Sequence, residues 1–219
     1  MFQRASDILI CMTALMILSP ILIVIVLILL LTGENQVFYR QIRIGKDGLE
    51  FKLIKFATML LDSPNIGTKE ITLKNDPRVL PFGRILRKTK MNEIPQLWNV
   101  IIGEMSIVGP RPMVPATFSL YDEYSRKQIN LVKPGLTGIG SIIFRDEERY
   151  LSDLVNPVDF YIDKIIPYKS ALEVWFVSNQ SIAIYFKIIF VTAWVIISPK
   201  SKIANIFFKN LPDAPEFIE

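Results

Sequence analysis

The chain has 219 residues, 51% of them hydrophobic, a formal net charge of +4, one cysteine and no histidine. Its length allows a core plus a membrane element, its mean hydropathy of +0.36 is high for a chain surrounded by water, and its positive balance suits anionic lipids or substrates with no nucleic-acid motif beside it. The missing histidines exclude histidine bases and Ser-His-Asp triads, and the lone Cys11 excludes an intrachain disulfide or a cysteine zinc site, so any metal is a hard cation on oxygen, magnesium or manganese.

Ile8 to Leu31 is almost wholly apolar and long enough to span a bilayer as a straight helix. Ser19-Pro20 near its middle predicts a break, because proline removes a helical hydrogen bond. Each arm would then be about 18 Å long, too short for about 30 Å of hydrocarbon. Arg4 precedes the run, and Arg40, Arg43 and Lys46 follow it, so basic residues flank both ends and do not orient a span. A helix–break–helix that enters and leaves one face fits both features. The run is too long for a signal peptide, and no A-x-A-like site follows it. Val37 to Phe56 reads as a β-hairpin, with Val37-Phe38-Tyr39 and Phe51-Lys52-Leu53-Ile54 flanking the turn Gly45-Lys46-Asp47-Gly48. Leu61 to Lys74 is a polar loop. Phe82 to Lys88 is a short basic amphipathic helix, equally suited to a lipid surface and to phosphate.

In Thr89 to Pro112, TKMNEIPQLWNVIIGEMSIVGPRP, Asn92 is the expected N-cap and Glu93 falls in the first turn, where the helix dipole favours negative charge. Leu97, Trp98, Ile101 and Ile102 are expected to share a face, with Gly103 as the stop. Free N–H groups at a helix start can hold phosphate, and Arg111 between two prolines offers a rigid fork to the same anion. A capped amphipathic helix followed by a Pro-rich loop accounts for the same residues. Ala116 to Leu131 reads as one charged helix and Lys133 to Gly138 as a tight loop. Arg145-Asp146-Glu147-Glu148-Arg149 is either a helix surface or the densest carboxylate cluster open to a metal or a base. Tyr161 to Tyr185 alternates aromatic and polar residues. Ser181 to Ser198 is a second apolar run, fitting a short span or an interfacial helix with Lys187 and Trp194 as anchors. The tail, with Pro212 and Pro215, is expected to be poorly ordered.

The central stretch resembles the bacterial sugar transferases, the small monotopic phosphoglycosyl transferases. Glu93, Pro95, Gln96, Leu97, Asn99, Val100, Gly103, Met105, Ser106 and Gly109 to Pro112 fit the pattern L-D-E-L-P-Q-L-x-N-V-x-x-G-D-M-S-x-V-G-P-R-P. The likeness extends to Arg43, Lys55 and Thr58, to Asp76-Pro77-Arg78, to Gly83-Arg84 through Lys88, and to Lys133 through Gly138. Several positions depart from it. Asn92 replaces the aspartate that serves as nucleophile, Ala57 stands where arginine is common, Ile139-Gly140-Ser141 replaces the usual continuation, and Glu173 replaces aspartate.

The resemblance implies a mainly helical α+β monotopic membrane protein: a re-entrant helix over 1–33, a catalytic domain over 34–199 with a small hairpin and interfacial amphipathic helices, and a tail over 200–219. It implies transfer of a sugar-1-phosphate from a UDP-sugar to polyprenyl phosphate, with UMP released, at the cytoplasmic face of a bacterial inner membrane. Glu93 would hold Mg²⁺, with Mn²⁺ as the alternative. Lys55, Arg78, Arg84, Arg87, Arg111 and Arg145 would bind substrate phosphates. Asp146, Glu147 and Glu148 are the carboxylates that could replace the nucleophile lost at Asn92. Membrane lipids are the expected surroundings, and a homodimer is compatible with the sequence. The alternative is an inactive membrane scaffold of the same fold, for which Asn92 is the argument.

Overall fold

The computed structural model describes residues 2–32, 34–66, 76–151, 154–198, 201 and 203–218. It is mainly helical, with two small sheets. The chain divides into two compact units, residues 1–41 with 52–102 and residues 42–51 with 103–219. The expected loop over 61–74 falls largely outside the described residues.

The first unit opens with α1, Phe2–Thr32. The helix runs through Pro20 without interruption, where a break between two helices was expected. Pro20 has no N–H to give Met16, but the Ser19 hydroxyl donates to the Met16 carbonyl at 2.8 Å and satisfies it. A Ser-Pro pair can therefore bend a helix in lipid without leaving a bare acceptor. Burial is concentrated at the two ends of α1. Asp7 and Cys11 are buried near the start, and Ile25 and Leu29 near the finish, while most of the middle is exposed.

The hairpin follows as β1, Phe38–Ile44, and β2, Glu50–Phe56, its tip over residues 42–51 being counted with the second unit. Its turn is the expected one: Asp47 adopts φ 59 and Gly48 φ 74. Next come α2, Pro81–Lys88, with proline in its first turn, and α3, Gln96–Ile102. Leu22, Ile25, Val26 and Leu29 of α1 pack with Phe56, Leu86 and Met91. At the other end of α1 the Arg4 guanidinium donates to the carbonyls of Val100 and Ile101 at the end of α3.

α3 differs from its expected form in two ways. Asn92 is no N-cap: it lies inside a 3₁₀ turn, Met91–Glu93, and the helix proper starts after Pro95. Lys90 in the left-handed region opens that turn, so the cap position falls ahead of Asn92. The buried face is Gln96, Leu97, Asn99 and Val100, whereas Trp98 and Ile102 are exposed together. A polar residue lies in the buried face because Asn99 acts as a strand. Its Oδ1 accepts from Ile54 N at 3.0 Å and its Nδ2 donates to Lys52 O at 2.9 Å, completing the edge of β2.

The second unit contains β3, Ser106–Val108; α4, Pro115–Phe118; α5, Glu123–Ile129; β4, Gly135–Thr137; and α6, Ile139–Ile143. The single helix expected over Ala116 to Leu131 is two, because the Asp122 carboxylate accepts from Ser125 N at 2.9 Å and starts a new helix there. The stretch from Lys133 to Gly138 is a strand and not only a loop: β4 pairs in parallel with β3, Ser106 opposite Gly135 and Val108 opposite Thr137. A Cβ on Gly109, Gly135 or Gly138 would strike backbone of the opposing segment. Three glycines are thus needed for the two chains to touch.

The unit continues through α7, Glu148–Leu151, and α8, Pro157–Phe160, to a π-helical turn, Tyr161–Ile165, that leads into α9, Ile166–Ser178. Then comes α10, Ile182–Ile197, capped by the Ser181 hydroxyl. About 24 Å of helix is short for a span, and Tyr185, Ile188, Val191 and Val195 are buried against α6, β3 and β4. The second run is therefore a core helix with an apolar outer face of Phe186, Phe190 and Trp194. The tail is ordered where described: it forms α11, Ile203–Phe207, buries Phe208 and sets Phe217 against Phe160 and Tyr150.

Candidate functional site

In the first unit the expected residues meet around the 3₁₀ turn. Lys55 on β2 reaches Glu93, Nζ to Oε1 3.9 Å, with both side chains about one-fifth exposed. Neighbouring Asn92 is 8% exposed, and its Oδ1 has no hydrogen-bond partner. A buried carbonyl oxygen without a donor costs about 1–3 kcal/mol unless a ligand, ion or water satisfies it. Arg84 is exposed and Arg87 half-buried on α2. Arg78 is different. It is 3% exposed; its Nε and Nη2 hold Asp76 at 2.9 and 2.6 Å, and its Nη1 donates to the carbonyls of Ser63 and Ile66 at 3.0 and 2.9 Å. These donors organise the chain around the described end of the polar loop.

In the second unit the G-P-R-P segment is braced on nearly every peptide. Gly109 N donates to Thr137 O at 2.9 Å and Gly135 N to Pro110 O at 2.8 Å. Arg43 Nη1 donates to Pro112 O at 3.0 Å and Ile44 N to Met113 O at 2.9 Å. Arg43 is thus a brace. The Arg111 side chain stands exposed between buried Pro110 and Pro112, a rigid cationic fork of the kind that grips phosphate.

Behind this loop lies a buried charged group that sequence reading found only in part. Glu173 is 3% exposed, and Arg111 N donates to its Oε1 at 3.4 Å. Burial pushes its carboxyl up to about 7, against the backbone hydrogen bond from Arg111 and the charges of Lys169 and Arg111. Lys169, one turn earlier on α9, donates to Glu147 Oε1 at 2.6 Å and lies over the rings of Phe144 and Tyr161, 5.1 and 5.3 Å from their centroids. Burial pulls the Lys169 ammonium down, and Glu147 opposes it. Burial likewise raises the phenols of Tyr121 and Tyr161. Asp146 is exposed, and Arg145 is half-buried with no hydrogen-bond partner for Nη1. The side chain of Glu148 lies outside the described residues. Among the described residues no three carboxylates or cysteines converge as a metal cluster. Lys169, Tyr121 and Tyr161 were not singled out from sequence; the one signal was Lys169 four residues before Glu173 on a helix.

The donors around Asn92 nonetheless fit magnesium. This cation takes one or two protein oxygens and fills its remaining positions with water and substrate phosphate. The Glu93 carboxylate and the unpartnered Asn92 Oδ1 are such oxygens.

The chain matches the family described as bacterial sugar transferase over residues 1–199. It is 33% identical over 192 residues to the exopolysaccharide production protein ExoY of Rhizobium meliloti, covering 78% of this chain and 84% of that one. It is 36% identical over 180 residues to the UDP-glucose:undecaprenyl-phosphate glucose-1-phosphate transferase of Escherichia coli, covering 80% of this chain and 38% of that protein. With the UDP-galactose-lipid carrier transferase of Erwinia amylovora it shares 31% identity over 209 residues, 85% of this chain and 39% of the relative. The chain thus spans about two-fifths of the length of some relatives and most of the length of others. With the family pattern matched through the Lys55–Glu93 pair and the braced Arg111 loop, this chain belongs to the bacterial sugar transferase family.

Proposed function

We propose that the protein transfers a sugar-1-phosphate from a UDP-sugar to polyprenyl phosphate and releases UMP, as an initiating step of polysaccharide or glycan assembly. The observation that carries the reading is the mostly buried Lys55–Glu93 pair beside the unpartnered Asn92 oxygen, a cationic donor on β2 and two candidate oxygen ligands on one turn. Relatives named as UDP-glucose:undecaprenyl-phosphate glucose-1-phosphate transferases support it. Glu93 and Asn92 Oδ1 would hold Mg²⁺, or Mn²⁺ in its place, which when bound neutralises diphosphate charge. Arg111 grips phosphate, and Arg84, Arg87 and Lys55 supply further positive charge.

Asn92 sets the mechanism. A neutral amide oxygen is a poor nucleophile, so the aspartyl route is closed to it. Glu147 is a weak substitute because Lys169 holds it in a short ion pair. The transfer is therefore direct: an oxygen of the acceptor phosphate attacks the sugar-bearing phosphorus, a new P–O bond forms, the bridging P–O bond breaks, and its electron pair leaves with UMP. Kinetics are sequential. Purified protein with UDP-sugar, polyprenyl phosphate and Mg²⁺ should release UMP, and EDTA or Glu93→Ala should abolish release. Without acceptor there should be neither stoichiometric UMP nor a phosphosugar adduct by intact mass. An adduct on Asp146, Glu147 or Glu148 would refute direct transfer. Absence of UMP with every donor would favour the second reading, an inactive scaffold, which Asn92 alone recommends.

The protein sits on the cytoplasmic face of the bacterial inner membrane with α1 re-entrant. The two ends of α1 support this topology. Arg4 reaches Val100 and Ile101, and Ile25 belongs to the apolar cluster against which Met91 packs. Arg4 and Ile25 would be about 31 Å apart on a straight helix, whereas Met91 and Val100 are joined by a 3₁₀ turn and the first residues of α3. A bend at Ser19-Pro20 reconciles the two.

A further inference from the structure

The direct-transfer chemistry makes no use of Glu173, yet this acid is among the most buried polar groups of the second unit. Its burial is costly, and it is not needed as a counter-ion, since Glu147 already takes the Lys169 ammonium at 2.6 Å. Among the described residues its Oε1 accepts from Arg111 N, while Oε2 has no partner. Gly140 on α6 faces the same oxygen, and a Cβ there would overlap Oε1. The carboxyl thus fills the space that any side chain at 140 would need. Pro110 and Pro112 carry no N–H, so the Arg111 amide is the one backbone donor of this tripeptide, and Glu173 receives it.

We propose that Glu173 is a positioning residue for Arg111: seated in the room left by Gly140, its Oε1 fixes the Arg111 peptide and thereby aims the exposed guanidinium at a phosphate of a nucleoside diphosphate. The target rests on the reading of the site given above; the peptide contact does not. The other braces described above hold Gly109, Pro110, Pro112 and Met113, and this one acts on the peptide of Arg111 itself. The amide needs an acceptor oxygen and not a charge. Glutamine at 173 preserves the contact, alanine removes it, and a methyl at 140 pushes it away.

Two measurements on the full chain in lipid nanodiscs test this. Selective ¹⁵N-arginine labelling follows hydrogen exchange of the Arg111 amide, and calorimetry follows UDP binding in Mg²⁺. In Glu173→Ala the exchange should quicken and the UDP affinity fall, each by about tenfold for one lost hydrogen bond. Gly140→Ala should do the same and serves if Glu173→Ala does not fold. Glu173→Gln should stay near wild type in both. Unchanged Arg111 exchange in Glu173→Ala overturns the proposal. So does faster exchange with wild-type UDP affinity when Arg111→Ala lowers that affinity, and so does equal damage from Gln and Ala. If the wild type binds no UDP, the nucleotide reading fails, while the exchange measurement still decides whether Glu173 holds the Arg111 peptide.

Discussion

Asn92 and Glu173 show how one atom's surroundings decide a residue's use. At position 92 an amide replaces the acid of the family pattern, and its buried Oδ1 lacks a donor; it can coordinate or accept but cannot attack. At position 173 burial raises the carboxyl from 4.5 to about 7. Between those values the folded protein binds more protons at this site than the unfolded chain does. Stability therefore falls as pH rises from about 4.5 to about 7 and levels off above. Thermal unfolding of the wild type against Glu173→Gln, which is neutral throughout, should show the difference growing across that window, on the order of 3 kcal/mol at its end. Parallel curves for the two proteins would contradict the raised value. Lys169 makes a second case: Lys169→Ala leaves Glu147 without its partner and strips a cation from two aromatic faces. It should cost about 3 kcal/mol in denaturant unfolding.

At the scale of elements, polar side chains finish what backbone leaves open. Asn99 supplies a donor and an acceptor to β2 and so joins α3 to the hairpin that carries Lys55. Asn99→Ala leaves Ile54 N and Lys52 O, both part-buried, without these partners. It should destabilise the first unit by about 2–4 kcal/mol, and hydrogen exchange should quicken at Ile54 before it does at β3. Uniform loss across both strands would mean that Asn99 does not act locally. Ser19 has the same office in α1, giving Met16 O the donor that Pro20 lacks. In β3 and β4 glycines allow two backbones to meet, and the G-P-R-P segment inherits its rigidity from that contact.

For the molecule as a whole, the decisive question is which face of the membrane each end of α1 occupies. A helix of 31 residues could cross a bilayer by length alone, but contacts at both of its ends with the same unit favour a bend and a return. Single cysteines at Gln3 and Gln36, in a Cys11→Ser background, should both resist an impermeant thiol reagent in intact cells and react after permeabilisation. Labelling of either one from the periplasm would establish a span.

The sequence by itself determined whatever rests on local pattern. The apolar N-terminal helix follows from composition, the hairpin from its Gly-Lys-Asp-Gly turn, the basic amphipathic α2 from spacing, and the amide where the family pattern has an acid from one letter at position 92. Tertiary structure alone decided the role of each buried charge and polar group, because a charge takes its meaning from what packs against it. Arg78 and Glu147 read equally well as ligand-binding groups until Asp76 and Lys169 are seen to hold them. Asn92 reads as a cap until Lys90 takes the left-handed turn before it. Lys133 to Gly138 reads as a loop until a strand some thirty positions earlier pairs with it. In each case the deciding partner is supplied by backbone geometry or by a contact that no local window of residues contains.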